Sequence, residues 1–301
     1  VADLPLISIC IPVYNSDANS LVKSLAEQLV FLENKVEVIV IDDCSHAEWK
    51  RKNEDIIRFC RYIVLDENIG RSKIRNLFLK FAKGDFLLFI DGDSEIISKS
   101  YLADYLEFIE KSNPDILVGG SIYQNEKPKR SHLLRWKYSI YRESKSATKR
   151  ETSNSGFKTN NFLIEKKLFS SSPFNEELKG YGHEDTLFGI QLLQKKCNIQ
   201  HLENPVLNKH LDSNSVFLRK TENAILNLLQ IYAMRDQYPE IRDIKLICFY
   251  EKITQQKLRK IVLLLFQLFR PFVVFFLRNG FFTLWMFDFY KLGLFIRKIK
   301  S

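Results

Sequence analysis

At 301 residues and 46% hydrophobic content, the chain is long enough for one large domain or two modest ones, and too apolar to be disordered. Its five cysteines (Cys10, Cys44, Cys60, Cys197 and Cys248) are odd in number and show no C-x-x-C spacing, which argues against a disulfide framework or a zinc site and fits a reducing cytosol. The net charge of +9 is concentrated at the end: residues 255–301 hold nine basic residues against one acid, Asp288, so the body is nearly neutral. Few aromatics fall in polar, basic surroundings, so a nucleic-acid surface is not expected. No signal peptide is read ahead of the first strand, and the sequence opens at Val1, as if a few residues preceded it.

The first half alternates strand-like and helix-like segments. Residues 6–12 predict a buried strand, and Leu21, Leu25 and Leu29 mark the apolar face of a following helix. Residues 36–41 predict a second strand, ending on Asp42-Asp43, and residues 47–60 a polar helical stretch. A short strand at 61–65, a helix faced by Ile74, Leu77, Phe78 and Phe81, and an apolar strand at 86–90 come next. Leu102, Tyr105, Leu106 and Ile109 predict another helix, and residues 116–118 another strand. This βαβα order predicts a mainly parallel sheet with helices on both faces. The pattern loosens over 121–155, read as a long loop with one helix near 133–144. A strand at 162–164, a helix after His183-Glu184-Asp185 and a helix over about 215–238 complete a main domain of residues 1–238. Pro239 marks a break, and residues 239–301 form a basic, apolar helical C-terminal region.

Four acidic sites lie at element ends. Five apolar residues run into Asp91-Gly92-Asp93, where the strand leaves the carboxyl edge of the sheet, the usual ligand edge of open α/β folds. Two carboxylates so close repel unless a cation or proton intervenes, and hard oxygen ligands with room for water suit Mg²⁺ or Mn²⁺ on a diphosphate. A solvated turn is the plain alternative. Asp42-Asp43 repeats the pattern, and a strand-end carboxylate there accepts from a base or ribose, or else caps a turn. In Asn68-Ile69-Gly70-Arg71, the glycine admits close backbone approach, and the helix start beyond it offers N–H groups to an anion. Gly180-Tyr181-Gly182-His183-Glu184-Asp185 places two acids in a helix's first turn, either for the helix dipole or as a general base for a sugar hydroxyl.

Together these residues resemble a family 2 glycosyltransferase of the GT-A fold, a Rossmann-like three-layer α/β/α domain. Ser8–Asn15 resembles the family's first strand and nucleotide loop, and Asp42-Asp43 its nucleobase acids. Asn68-x-Gly70 with Arg75-Asn76 resembles its third block, Asp91-Gly92-Asp93 its D-x-D, and Gly182–Asp185 its E-D motif. The match runs over roughly residues 5–218. The resemblance implies that Pro12, Tyr14 and Asp43 hold a nucleobase, with uracil expected, and that Asp42 supports that loop. Gly70, Arg75, Asp91 and Gly92 would border the diphosphate and sugar, and Asp93 would bind Mn²⁺ or Mg²⁺. His210 stands where some relatives carry a metal-binding histidine. Glu184 and His183 would contact the acceptor, and Asp185 would be the catalytic base. His183 departs from the glycine or aromatic common in relatives.

The implied function is inverting transfer of a hexosyl or N-acetylhexosaminyl group from a nucleoside-diphosphate sugar to a hydroxyl of a glycan or lipid-linked acceptor, as in cell-surface polysaccharide synthesis. Two rivals are a non-catalytic nucleotide-sugar-binding module and a phosphatase or phosphotransferase whose D-x-D supplies a nucleophile. The uncharged runs of the tail (261–269, 271–277 and 279–287) each fall short of a membrane span. With Arg270, Arg278, Trp285 and Tyr290 between and beside them, they are read as helices lying on an anionic membrane face, giving a cytoplasmic protein peripheral to the inner membrane. A helical subdomain or a dimer interface is the alternative.

Overall fold

A computed structural model describes residues 7–30, 32, 35–151 and 157–299. In chain order the elements are β1 (Ile7–Val13), α1 (Asn19–Leu29), β2 (Val36–Asp42), α2 (Ala47–Lys52), β3 (Arg61–Val64), α3 (Arg71–Phe81) and β4 (Phe86–Ile90). Next come β5 (Ser94–Ile96), α4 (Tyr101–Ser112), β6 (Ile116–Val118), β7 (Ser121–Tyr123), α5 (Leu133–Tyr138), α6 (Ala147–Glu151), β8 (Asn161–Glu165) and α7 (Lys166–Ser171). The chain continues with α8 (Glu184–Gln194), β9 (Ile199–His201), β10 (Val206–Asn208), α9 (Asn214–Ala233), α10 (Lys245–Gln255), α11 (Arg259–Asn279) and α12 (Leu284–Lys298). Leu6 and Lys300, at the ends of the predicted first strand and of the tail, lie outside the described residues. The described residues divide into two compact units: one drawn from segments 1–124, 144–176 and 192–210, the other from 125–143, 177–191 and 211–301.

The first unit holds a seven-stranded sheet of order β3-β2-β1-β4-β8-β6-β9. β8 runs antiparallel to both its neighbours, and the other pairs are parallel. The mainly parallel sheet is therefore as expected, with one reversed strand inserted. Alternation along each strand sorts side chains onto two faces. Ile9, Ile11, Val38, Val40, Leu88 and Ile90 share a core with Leu21 and Leu25 of α1 and Tyr105 and Ile109 of α4. On the opposite face, Phe89 meets Phe78 of α3, Phe162 of β8 and Phe169 of α7 at ring distances of 5.8, 5.0 and 5.2 Å. Helices thus cover both faces, giving three layers.

β1 has β2 on one side and β4 on the other, so the strand order reverses there. The carboxyl ends of β1 and β4 flank that switch point, where open α/β sheets bind ligands. The segment after Gly120, read as loop, contains β7, which joins β5 and β10 in a second, three-stranded sheet. These three-residue strands carry polar residues and leave no periodicity to detect, unlike the wholly apolar Ile116–Val118.

The second unit is helical. Leu187, Phe217, Leu228, Phe266, Phe287, Tyr290 and Phe295 form its core. Asn214 ties three backbone segments: its Oδ1 accepts from Leu134 N at 2.9 Å, and its Nδ2 donates to Arg130 O at 2.8 Å and Arg278 O at 3.0 Å. Gly293 of α12 lets α11 approach closely, because a Cβ there would lie 2.1 Å from the Phe266 ring. One expectation about the tail is corrected, that no stretch of it is long enough to span a membrane. α11 runs unbroken for 21 residues through Arg270 and Pro271, joining the runs 261–269 and 271–277 into one helix. By length and composition alone it is long enough and apolar enough to cross a membrane.

Candidate functional site

At the end of β1 the chain turns through Tyr14 and Asn15, the latter at φ 50°. Asn15 N donates to Ser45 Oγ at 2.8 Å, and His46 N donates to Asn15 Oδ1 at 2.9 Å, so the ends of β1 and β2 are laced together. Pro12 is half-buried, and Tyr14 is left 52% exposed at the sheet edge, a free face for a planar ring to stack on.

The two acids after β2 differ in role. Asp42 is fully buried, and its carboxylate accepts Ser45 N at 2.6 Å and the Tyr62 hydroxyl at 2.9 Å. It is a structural brace of the turn. Asp43 accepts Ile69 N on Oδ1 at 2.7 Å and Gly70 N on Oδ2 at 3.0 Å. It therefore clasps the Asn68-Ile69-Gly70 turn, and Asn68 Nδ2 closes the clasp on Asp43 O at 3.0 Å. Burial pushes the Asp43 carboxyl above the usual carboxylate range and Asp42 adds to this, while the Ile69 and Gly70 N–H groups pull it down. Gly70 sits at φ 84°, a backbone region that disfavours side chains, and its turn opens into α3. Tyr62 was not singled out in the sequence, and nothing around it marks it in advance.

Arg75, on the inner face of α3, is 2% exposed. Its Nη2 donates to Asp91 Oδ1 at 2.8 Å, and its Nη1 to Arg71 O at 3.1 Å. Asp91 is thereby oriented by a buried guanidinium, with about a quarter of its side chain still open. Gly92 has no room for a side chain, because a Cβ would lie 2.8 Å from Val13 Cγ2 and 3.1 Å from Pro12 O. The D-x-D turn therefore rests directly on the end of β1. Solvent reaches Asp93, so its loss of hydration is that of a crowded recess rather than of a dry core. That loss and the adjacent Asp91 charge raise its pKa, while Arg71 and His210 lower it. His210 comes close because Asn208 of β10 pairs in register with Ser94 of β5, and Ser94 Oγ donates to Asn208 Oδ1 at 3.2 Å. The two short strands that sequence patterning missed are what bring His210 toward Asp93.

Among the described residues no three His, Cys, Asp or Glu side chains converge on one metal position. The residues present still fit a hard divalent cation on a diphosphate, because such an ion keeps waters and phosphate oxygens and needs only one or two protein carboxylates. Asp93 is the open carboxylate for it, with Asp91 engaged by Arg75.

Glu184, Asp185 and His183 belong to the second unit. Gly180, Gly182 and His183 all adopt positive φ (82°, 96° and 68°), a tight turn into α8. Gly182 packs against Ala224, where a Cβ would lie at 2.7 Å, and its carbonyl accepts Asn227 Nδ2 at 2.8 Å. Asn227 of α9 is a support that the sequence reading did not name. Glu184 is 6% exposed. Asp185 is half-buried, and its Oδ1 accepts Thr186 N at 2.8 Å and Thr186 Oγ1 at 3.3 Å. His183 Nδ1 lies 3.2 Å from Thr186 Oγ1, so Thr186 links both side chains.

The chain matches the family model described as Glycosyl transferase family 2 over residues 8–174. It is 36% identical over 119 residues to the Staphylococcus aureus poly(ribitol-phosphate) beta-N-acetylglucosaminyltransferase TarS, covering 37% of this chain and 20% of TarS. It is 34% identical over 122 residues to a Bacillus spizizenii poly(ribitol-phosphate) beta-glucosyltransferase, covering 38% of this chain and 18% of that protein. The chain thus spans about a fifth of the length of these relatives. Among solved structures, S. aureus TarS 1–349 aligns with a TM-score of 0.55 at 21% identity, over 96% of this chain and 90% of that one. A Pyrobaculum calidifontis mannosyltransferase in complex with GDP-Man and Mn²⁺ aligns with a TM-score of 0.53 at 11% identity, over 77% of this chain and 65% of that one. These likenesses establish a GT-A-like fold with the helices α9–α12 beyond it. They displace the phosphatase reading, whose D-x-D would open the first strand of its domain, whereas here it follows the fourth. The family model covers more than half of the sequence, and the chain belongs to glycosyl transferase family 2.

Proposed function

We propose that this protein is an inverting glycosyltransferase that moves a hexosyl or N-acetylhexosaminyl group from a UDP-sugar to a hydroxyl of a cell-surface glycan or lipid-linked acceptor. The observation that carries the reading is the Arg75–Asp91 pair beside the open Asp93 carboxylate, set at the switch point of the sheet. Uridine is favoured because solved relatives of this fold hold UDP and UDP-GlcNAc. The curated relatives, named for N-acetylglucosaminyl and glucosyl transfer to poly(ribitol-phosphate), make that polymer the first acceptor to try.

In this reading Tyr14 and Pro12 receive the base, and Asp43 fixes the turn on which it rests. Gly70 and the start of α3 offer backbone N–H groups toward the diphosphate. Asp91, oriented by Arg75, holds ribose or sugar hydroxyls. Asp93, with His210 beside it, would hold Mn²⁺ or Mg²⁺, which supplies Lewis-acid stabilisation of the leaving diphosphate. Asp185 takes the proton from the attacking acceptor hydroxyl. Thr186 occupies its Oδ1 and leaves Oδ2 for that proton. Glu184 and His183 contact the acceptor. A single displacement inverts the anomeric centre.

The test is nucleotide release from a panel of UDP- and GDP-sugars, with and without poly(ribitol-phosphate), in Mn²⁺, Mg²⁺ or EDTA. The expected result is metal-dependent UDP release from UDP-GlcNAc or UDP-glucose that Asp185→Asn removes while UDP affinity is unchanged. UDP binding without release under any condition would instead favour a non-catalytic module.

A further inference from the structure

α11 is apolar on two opposite faces. One face, carrying Phe266, Val273 and Leu277, is buried in the second unit. The other carries Ile261, Leu264, Leu268, Phe272 and Phe275, which are 55%, 65%, 63%, 63% and 60% exposed. Their spacing of three, four or seven residues keeps them on one stripe. Only 17% of the most apolar window of the helix is buried. Phe281 and Trp285, 50% and 67% exposed, extend the apolar surface beyond it. A soluble surface rarely carries so large a contiguous apolar patch without a partner.

The charge around the stripe selects the partner. No Asp or Glu occurs between Gln255 and Phe287, while Lys260 and Arg278 stand on the same flank near the two ends of the helix. A second copy docking stripe to stripe in the antiparallel sense would set Lys260 against Arg278, like charges that repel. An anionic bilayer matches both features: hydrocarbon for the stripe and headgroups for the cations. The helix does not span, because its other face is built into the core with α12, which carries Asp288, Lys291 and Arg297. We propose that α11 lies in the plane of an anionic membrane surface and inserts its Ile261–Phe275 stripe among the acyl chains. This site is independent of which sugar is moved.

The test is flotation of the 301-residue chain with vesicles of phosphatidylcholine alone and of phosphatidylcholine with roughly one-third phosphatidylglycerol. We expect binding to the anionic vesicles at least about 10-fold tighter than to neutral ones, weakening as salt rises. A Leu264→Gln, Leu268→Gln, Phe272→Gln variant should lose binding at least about 10-fold at an unchanged melting temperature, since these side chains are already in water. Lys260→Gln with Arg278→Gln should keep residual binding and lose the preference for anionic lipid. Absence of flotation by the parent protein, or parent-like flotation of the triple variant, overturns the proposal. So does a parent dimer that fails to float and becomes monomeric in the triple variant, which would assign the face to a second copy.

Discussion

Asp43 accepts two backbone N–H groups, so Asp43→Ala strands the amides of Ile69 and Gly70. We expect a stability loss of about 2 kcal/mol in urea unfolding and a weaker hold on UDP. Asp43→Asn keeps one acceptor oxygen and should recover part of the loss. The pH dependence has a definite sign. A folded-state value above the ordinary 3.8 means that the native state holds this proton more tightly than the unfolded chain. Its contribution is full below that ordinary value and is lost as pH rises through the folded value. The stability gap between the parent and Asp43→Asn should therefore narrow from pH 4 to pH 7. The D-x-D acids should separate structure from chemistry. Asp91→Asn leaves the buried Arg75 guanidinium without its countercharge and should cost about 3 kcal/mol as well as turnover. Asp93→Asn, on an exposed side chain, should change stability by less than about 0.5 kcal/mol while removing metal-dependent release. Equal destabilisation by both would place Asp93 in the scaffold. The acids were legible in the sequence because each ends an apolar run. The division of labour between Asp42 and Asp43 was not, because it depends on Tyr62 and Gly70, which lie 20 and 27 residues along the chain from their partners.

Elements were readable in proportion to their length and burial. β1, β2 and β4 are largely apolar and mostly buried on both faces, and each was found within a residue or two of its observed bounds. β5, β7, β9 and β10 have three residues each and are held by cross-strand pairing, which local sequence does not encode. The antiparallel sense of β8 is likewise a tertiary choice, seen only in its register against β4 and β6. α11 was read as separate uncharged runs because Arg270 and Arg278 interrupt the apolar sequence, although a proline within it, Pro271, is also an ordinary helix breaker. Here packing of Phe266, Val273 and Leu277 on either side of Pro271 holds it continuous. The seam between α11 and α12 offers a direct check. Gly293→Ala puts a methyl group into the ring of Phe266, itself fully buried. Overpacking of this kind costs about 1–3 kcal/mol. We expect a loss in that range on chemical denaturation, with much of it recovered by adding Phe266→Leu. No loss would mean that the two helices do not meet at Gly293.

For the whole molecule, the five free cysteines act as probes of burial at separate places. Cys248 is exposed, whereas Cys10 lies in the interior strand β1 with no accessible surface. Burial pushes the Cys10 thiol well up, with Glu37 adding to it, and pushes Cys60 up to about 12. At pH 8 only about one Cys60 in ten thousand is therefore a thiolate, the form that reacts. With a disulfide reagent at that pH, Cys248 should label first and Cys10 and Cys60 last, Cys10 only through unfolding of the sheet. The rate at Cys10 then measures the opening of the layer that carries Pro12 and Tyr14 at its edge. A ligand that binds only the folded form slows that opening by mass action, and at one hundred times its Kd by about 100-fold. UDP with Mn²⁺ should therefore protect Cys10 and leave Cys248 unchanged, as followed by mass spectrometry of labelled peptides. Protection by UDP that GDP does not give would assign the nucleotide to this sheet edge without any turnover. Labelling of Cys10 as fast as Cys248 would remove β1 from the interior of the sheet, and the site built on its end with it.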